Sequence, residues 1–361
     1  MDTGLSAREA ALRIVRSVRR QPPLRVPLDQ ALGSVLAESV VSPLDVPFRT
    51  NSAMDGYAAR AVDVRGASAA APRRLVIVDR IAAGAMPARP VGPGEAARIF
   101  TGAPMPEGAD SVIRQEDTDQ GETTVSVFMD RDCGVNFRLA GEDIRAGTTV
   151  MLPGTELGPS HLGVLASLAL AEPLVYRRPR VGILASGDEI VGLDQPDEIL
   201  SGRKIASSNT HTLRALIRQA GGQPVDLGIA RDDPASVRHH LDAAADCDLV
   251  VSTAGISVGD HDYLREVIEA MGGALDFWKL RMRPGAPVGF GTLGGGLPWI
   301  GLPGNPVSTM VTFELFVRPA IRTMMGQTLP FRRAVPVAAE VAIRLGPKLQ
   351  HFLRAVVTDG P

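Results

Sequence analysis

Lysine is nearly absent from this chain: only Lys204, Lys279 and Lys348 occur among 38 basic residues, and the rest are arginine. A compact ammonium kept at a few positions in an arginine-rich chain points to places where a planar fork would not serve. Cysteine is as scarce. Cys133 and Cys247 stand far apart with no CxxC spacing, which argues against both a disulfide framework and a thiolate metal site. No run approaches the roughly 18 apolar residues of a membrane span, and the N-terminus opens on a charged helical pattern instead of a secretory leader. A net charge of -2 removes the electrostatic footprint of bulk nucleic-acid binding. The expectation is a cytoplasmic globular protein with neither nucleic-acid nor membrane partners.

A chain of 361 residues is too long for one hydrophobic core, so several domains of roughly 50–200 residues each are expected. Ser6 and Glu9 have the spacing of a capping box, and Ala11, Ile14, Val15 and Val18 then share one helical face. A second helix is expected over Leu28–Glu38, before Pro43 and Pro47 mark an extended exit. From 46 to 141 short apolar runs, such as Leu75 to Val78 and Val125 to Phe128, alternate with Gly/Pro clusters and predict a β-rich insert. Helical character returns at Ser160–Leu170, so residues 1–45 and 142–178 are expected to form a discontinuous helical linker domain around that insert.

Beyond Arg180 apolar runs alternate with amphipathic helices. Strands are expected at Val181–Ala185, Val225–Ile229, Asp248–Ser252, Leu275–Leu280 and around Trp299. Helices are expected at Asn209–Ala220, Ser236–Ala245, Tyr263–Met271 and through about Thr323. This pattern predicts a doubly wound, three-layer αβα domain over 179–326. Residues 327–361 read as a short C-terminal β domain, with two or three strands from Val335 on. The fold class is thus multidomain α/β.

Ligands of open α/β sheets sit at the carboxyl ends of the strands. Four loops fall there: Ser186-Gly187-Asp188-Glu189, Arg231-Asp232-Asp233, the stretch from Thr253 to Asp262, and the stretch from Gly301 to Ser308. Glycines of the third and last loops, such as Gly255, Gly259 and Gly304, let backbone N–H groups approach a ligand, and helix N-termini behind them favour anions such as phosphate. Each loop alone is equally well read as a capped βα turn, and Asp233 before Pro234 is read that way. Asp55, Asp143, Glu189, Asp232 and Asp262 lie in Gly/Ser/Pro-rich loops and not on charged helix faces. Carboxylates gathered at a phosphate need a divalent cation between them, magnesium being the commonest to accept such oxygens. Lys279, Arg281 and Arg283 share one face if extended geometry persists, which would make an oxyanion clamp or a charged strand edge. Phe277 and Trp278 read as core. His161, His211 and His261 show no ligand spacing.

Taken together, the NSAMDGYA stretch at 51–58, Thr101-Gly102-Ala103-Pro104, Pro106 to Asp110, Gly141-Glu142-Asp143, Ser186 to Glu189, Gly255 to Asp262 and Leu302 to Ser308 resemble the molybdopterin molybdenumtransferase family, to which the C-terminal domain of gephyrin is related. The resemblance runs nearly end to end. It implies that adenylylated molybdopterin and molybdate, with Mg2+ or another divalent cation, give molybdenum cofactor and AMP. It also implies a homodimer whose active site joins the insert of one subunit to the α/β domain of the other, and contacts with the adenylyltransferase and with molybdoenzymes. Catalytic roles fall to Asp55, Thr101, Asp143, Glu189, Asp262 and Lys279, with Asp55, Glu189 and Asp262 as metal ligands. Substrate binding falls to Ser186, Gly187, Asp232, Gly255, Ser257, Gly259, Arg283, Pro303, Gly304, Asn305 and Ser308. The chain departs from the family pattern at Arg283, where a second lysine is frequent, at Ala286, where a base is common, and at Ala254, where a glycine pair is usual. The family's C-terminal β domain is normally longer. An adenylyltransferase would lack the insert, and a non-catalytic scaffold is the alternative of another class.

Overall fold

A computed structural model describes residues 2, 4–253, 263–346 and 348–356, in two compact units. One comprises Met1–Glu38, Pro153–Leu162 and Glu172–Pro361; the other comprises Ser39–Leu152 and Gly163–Ala171.

The first helix, α1 (Ala7–Ser17), starts on the expected capping box: the Glu9 amide donates to Ser6 Oγ at 3.2 Å and the Ser6 amide donates to Glu9 Oε2 at 2.9 Å. Its buried face, Ala7, Ala10, Ala11 and Ile14, packs into the same core as the α/β sheet. The second expected helix does not form. Leu28–Gln30 makes a single 3-10 turn, after which the amides of Gly33, Leu36 and Ala37 donate to Leu157, Thr155 and Leu174. Those donors are then lost to any i→i−4 ladder.

The insert is built on β1 (Gly56–Ala59), β2 (Arg73–Ile81), β3 (Glu95–Ile99), β4 (Ser111–Arg114) and β5 (Thr124–Val127), in the order β4-β1-β3-β2-β5. Only the β2/β3 pair is parallel. Alternation sends Tyr57, Ala96, Ile113 and Val125 into one small core and Ala58, Ala97, Ile99 and Val112 into another, so both faces are covered. Asp132 lies buried beside this sheet, where Arg114 Nη2 donates to its Oδ1 at 2.9 Å and Arg114 Nε and the Arg114 amide donate to its Oδ2 at 3.0 Å. Burial pushes this carboxyl up, but the Arg114 bonds outweigh it and hold the group below the usual carboxylate range. A carboxyl depressed in the folded state contributes stability above its unfolded value, about 3.9, and loses that contribution as pH falls through the folded value. Asp132→Asn is therefore expected to cost about 2–3 kcal/mol at pH 7 and to flatten the acid limb of urea denaturation midpoints measured between about pH 2 and pH 6.

The α/β unit contains β6 (Arg180–Ser186), α2 (Ser208–Ala220), β7 (Gln223–Ala230), α3 (Pro234–Asp242), β8 (Leu249–Thr253), α4 (Tyr263–Ala270), β9 (Ala274–Trp278), β10 (Gly289–Thr292) and β11 (Pro298–Leu302). Strand order is β7-β6-β8-β11-β10-β9, with the first four parallel. The sheet is mixed, because β10 runs antiparallel to both its neighbours and joins β11 through the turn at Gly294–Gly296. Ile183, Val251 and Ile300 face α1, α2 and the C-terminal helical stretch; Leu184, Val250 and Trp299 face α3 and α4. Phe277 and Trp278 are core, and Trp278 stacks on Trp299 with centroids 6.3 Å apart. The closing stretch runs through α5 (Pro306–Thr312), one π turn at Phe313–Val317 and α6 (Arg318–Met324).

Past α6 the expected small β domain is not seen among the described residues. Only Gln350–His351 pairs, in parallel, with Met282–Arg283. Val335, Val337, Val341 and Ile343 alternate as in a strand but stay exposed, and a strand without a partner sheet is not stable in water.

Candidate functional site

Within the α/β unit, chain order places a topological switch between β6 and β8. The β6–α2–β7 connection leaves over one face of the sheet and β7–α3–β8 returns over the other. Such a point leaves a crevice at the carboxyl ends of the strands. A cavity of about 220 Å³ lies there, lined by Ser186, Glu189, Ser207, Ser208, Asn209, Thr253, Gly304 and Pro306. It thus opens at the first turns of both α2 and α5, whose dipoles favour an anion, and α2 adds leading amides that the Ser207 side chain does not cap.

The loop after β6 shows why glycine stands at 187. Its φ is 135°, and a Cβ would come within 2.6 Å of the Glu189 carboxylate, which folds back over it. Glu189 itself is exposed at the cavity edge. Ser186 Oγ, buried, lies 3.5 Å from the Thr253 carbonyl it can donate to. Asp232 lines a neighbouring cavity of about 680 Å³ with Asp188 and Lys204. There the amides of Asp188 and Asp232 each donate to the other's carboxylate at 3.3 Å, and Lys204 Nζ donates to the Asp188 carbonyl at 2.7 Å. Asp233, as expected, caps α3 by accepting from the Ser236 amide at 2.8 Å.

In the last loop Asn305 is a helix cap, its Oδ1 accepting from the amides of Val307 and Ser308 at 3.1 and 3.3 Å. Pro303 and Gly304 offer carbonyls to Thr309 Oγ1 and Asn209 Nδ2 at 2.6 and 2.7 Å. The side chain of Asn305 is therefore committed to structure, and Asn209 is the amide at the cavity. Ser207, Ser208 and Asn209 escaped the sequence reading although three cap-type residues in a row before an amphipathic helix are a signal for such a terminus. Gly255, Ser257, Gly259 and Asp262, with Ala254 and His261, lie outside the described residues.

Lys279 follows β9, whose carboxyl end lies on the same rim because β9 and β11 are both antiparallel to β10. The extended run stops there: Lys279 has φ 64°, a left-handed conformation. Arg281 packs its stem near Gly4, on the α1 side, while Arg283 is exposed in the short pair with Gln350–His351. The three cations consequently do not share one strand face, which corrects the clamp expected from their i, i+2, i+4 spacing.

The insert carries a second set of residues. Ser52 accepts from the Gly102 amide at 2.8 Å and donates its own to the Ala103 carbonyl at 2.9 Å, which brings the Thr101 turn against the NSAMDGYA stretch. Ser52 Oγ then closes the bend by donating to the Met54 carbonyl. At the tip, the Thr101 amide and Thr101 Oγ1 both donate to Asp55 Oδ1 at 2.8 Å. The Thr101 amide and hydroxyl hold the Asp55 carboxyl below its usual range, burial opposes them weakly, and the Arg98 charge assists. Asp55 is exposed, and among the described residues no donor reaches its Oδ2. Asp143, also exposed, is held by its amide to the Val46 carbonyl at 3.0 Å, and no hydrogen bond among the described residues joins it to Asp55 or Thr101. His161 accepts from the Gly158 amide at 3.0 Å and is structural. Among the described residues no cluster of three or more His, Cys, Asp or Glu side chains stands ready for a metal, and no helix is long and apolar enough to cross a membrane.

Two family models cover most of the chain: the MoeA N-terminal region (domains I and II) matches residues 5–169, and the probable molybdopterin-binding domain matches 182–323. A molybdopterin molybdenumtransferase of Nostoc sp. is 41% identical over 306 residues, covering 83% of this chain and 69% of that one. Molybdopterin molybdenumtransferase 2 of Mycobacterium tuberculosis is 38% identical over 96% of this chain and 88% of its own. The crystal structure of the molybdopterin biosynthesis protein MoeA of Pyrococcus horikoshii superposes with a TM-score of 0.76 at 29% identity, covering 91% of this chain and 81% of that one. The switch-point cavity, the Asp55–Thr101 pair and these likenesses converge, and the chain belongs to the molybdopterin molybdenumtransferase family.

Proposed function

We propose that this chain inserts molybdate into adenylylated molybdopterin and releases AMP. The observation that carries the reading is the Asp55–Thr101 pair, in which one carboxylate oxygen is fixed by two donors and the other is turned outward. A carboxylate held ionised in this way is a ligand or an electrostatic anchor, not a proton donor.

The reaction brings two anions together, the pyrophosphate of the substrate and the molybdate dianion. A divalent cation, Mg2+ or one like it, supplies charge neutralisation on the pyrophosphate when bound. The donor set fits such an ion, because magnesium keeps several waters and takes only one or two carboxylates together with substrate phosphates. Two of the three groups Asp55 Oδ2, Glu189 and Asp262 would hold it, and no preformed cage is required. The first turns of α2 and α5 receive the phosphate side of the substrate in the switch-point cavity. Asn209, tethered to the Gly304 carbonyl, orients what enters. Lys279 places a single compact positive charge on the same rim, where departing AMP or incoming molybdate gains from it.

Incubation of the purified protein with adenylylated molybdopterin, magnesium and molybdate is expected to yield AMP in step with bound molybdenum. Tight substrate binding with no AMP would instead support a scaffold. Glu189→Ala is expected to reduce AMP release roughly 10²-fold or more without altering the melting curve. The proposal extends to a homodimer in which Asp55 of one copy serves Glu189 of the other. Equal amounts of Asp55→Ala and Glu189→Ala subunits, unfolded and refolded together, should then recover roughly a quarter of the wild-type rate, since half of the dimers contain one intact site. No recovery in the mixture would rule out shared sites.

A further inference from the structure

Arg98 is a half-buried cation, and among the described residues no carboxylate forms an ion pair with it. It sits in β3 directly across from Tyr57 of β1. Its guanidinium carbon lies 4.8 Å from the Tyr57 ring centroid and 5.0 Å from that of Phe100, so it sits over two aromatic faces. Two of its donors reach acceptors next to Asp55, one main-chain and one side-chain. Nη1 donates to the Gly56 carbonyl at 3.1 Å and Nη2 to Gln115 Oε1 at 2.6 Å. The Gln115 amide in turn donates to the Asp55 carbonyl at 3.2 Å.

These bonds form a closed bracket. Gln115 holds the carbonyl of Asp55, Arg98 holds the carbonyl of Gly56, and Arg98 and Gln115 hold each other. Thr101 then fixes the carboxylate at the far end of the same residue. The main chain and the side chain of Asp55 are thus restrained independently, as required if one outward oxygen must keep a fixed direction. A planar fork serves two separated acceptors from different nitrogens while keeping a flat face against aromatic rings; an ammonium has a single nitrogen and no flat face. The competing explanation is that Arg98 merely covers the apolar faces of Tyr57 and Phe100 with its stem.

We infer that Arg98, acting through Gly56 and Gln115, is a positioning residue that fixes the direction in which Asp55 presents its outward carboxylate oxygen. The inference rests on the role given to Asp55 above, and its test includes a readout independent of turnover. Arg98→Met keeps the apolar stem and removes the fork; Arg98→Lys keeps the charge; Gln115→Leu removes the acceptor of Arg98 Nη2 while leaving the main-chain amide of residue 115 in place. In the full chain, Arg98→Met is expected to accelerate hydrogen exchange about tenfold or more at the amides of Thr101 and Gln115, the two that donate to Asp55, while the Ala58 amide in β1 stays protected. Turnover should fall roughly 10- to 100-fold with KM for adenylylated molybdopterin within about twofold. Arg98→Lys should rescue neither readout. Gln115→Leu should reproduce both, and combining it with Arg98→Met should add little. Wild-type exchange at both amides in Arg98→Met, with turnover within about twofold of wild type, overturns the inference; should that variant not fold, wild-type behaviour of Gln115→Leu overturns it equally. Absence of AMP release by the wild-type protein would defeat the functional reading alone, since the exchange readout still decides the positioning role.

Discussion

Asp55→Ala is expected to reduce AMP release by roughly three orders of magnitude while leaving the melting temperature within about 2 °C of wild type. The side chain is exposed and among the described residues its hydrogen-bond partner is Thr101 alone, so the fold gives up little when it goes. The chemistry gives up a charge that the Thr101 amide and hydroxyl keep ionised. Asp55→Asn separates charge from shape. An amide retains an oxygen for the two Thr101 donors, so a structural role predicts near-normal rates, whereas a cation-binding role predicts a loss close to that of alanine. Thr101→Val removes one of the two donors and spares the amide, for which a drop of about tenfold is expected. Single-turnover measurement of AMP distinguishes these levels, and full activity of both Asp55 variants would remove the carboxylate from the mechanism.

The second large effect concerns the adjacent residue and has the opposite character. Gly56 lies in β1 so close to β4 that a Cβ would stand 2.0 Å from the Ile113 carbonyl oxygen. No rotamer change relieves a clash with backbone, so Gly56→Ala must separate two paired strands and open the core containing Ile113 and Tyr57. The expected cost exceeds about 4 kcal/mol, beyond the usual range for a surface or single-methyl change. Limited trypsin digestion should then cleave the arginines of the insert, among them Arg98 and Arg114, at temperatures where the wild-type insert resists. A Gly56→Ala protein with a wild-type digestion pattern would contradict the close approach. Under the proposed mechanism the two neighbours in the NSAMDGYA stretch serve different ends, Asp55 for chemistry and Gly56 for strand packing.

Much of this was legible in the residues alone. The capping box at Ser6 and Glu9, the cap at Asp233, the alternation of β6, β7 and β8 with their helices, and the β-rich insert all follow local rules of period and capping. What escaped depended on partners remote in sequence. Leu28–Glu38 has helical composition, yet its amides are claimed by Thr155, Leu157 and Leu174. The apolar alternation after Val335 reads as strand, but pairing needs a neighbour that the pattern cannot reveal. The same holds at the site. Loops at strand ends announced Ser186, Glu189 and Gly304, while the tie of Asn209 to Gly304 and the place of Arg98 are visible only once the chain is folded, because each acts on a residue about 40 or more positions away or across a sheet.

Lys279 illustrates how far a local rule can be overridden. A residue with a Cβ held at φ 64° costs roughly 1–2 kcal/mol relative to glycine. Lys279→Gly should accordingly resist urea better than the parent, by about 1 kcal/mol, and turn over more slowly. Durability and throughput pull in contrary directions at this one position. A chain shaped for longevity alone would have spent its glycine there; this one tolerates a permanently cramped joint, and under the proposed mechanism what it keeps in exchange is a compact positive charge at the end of β9.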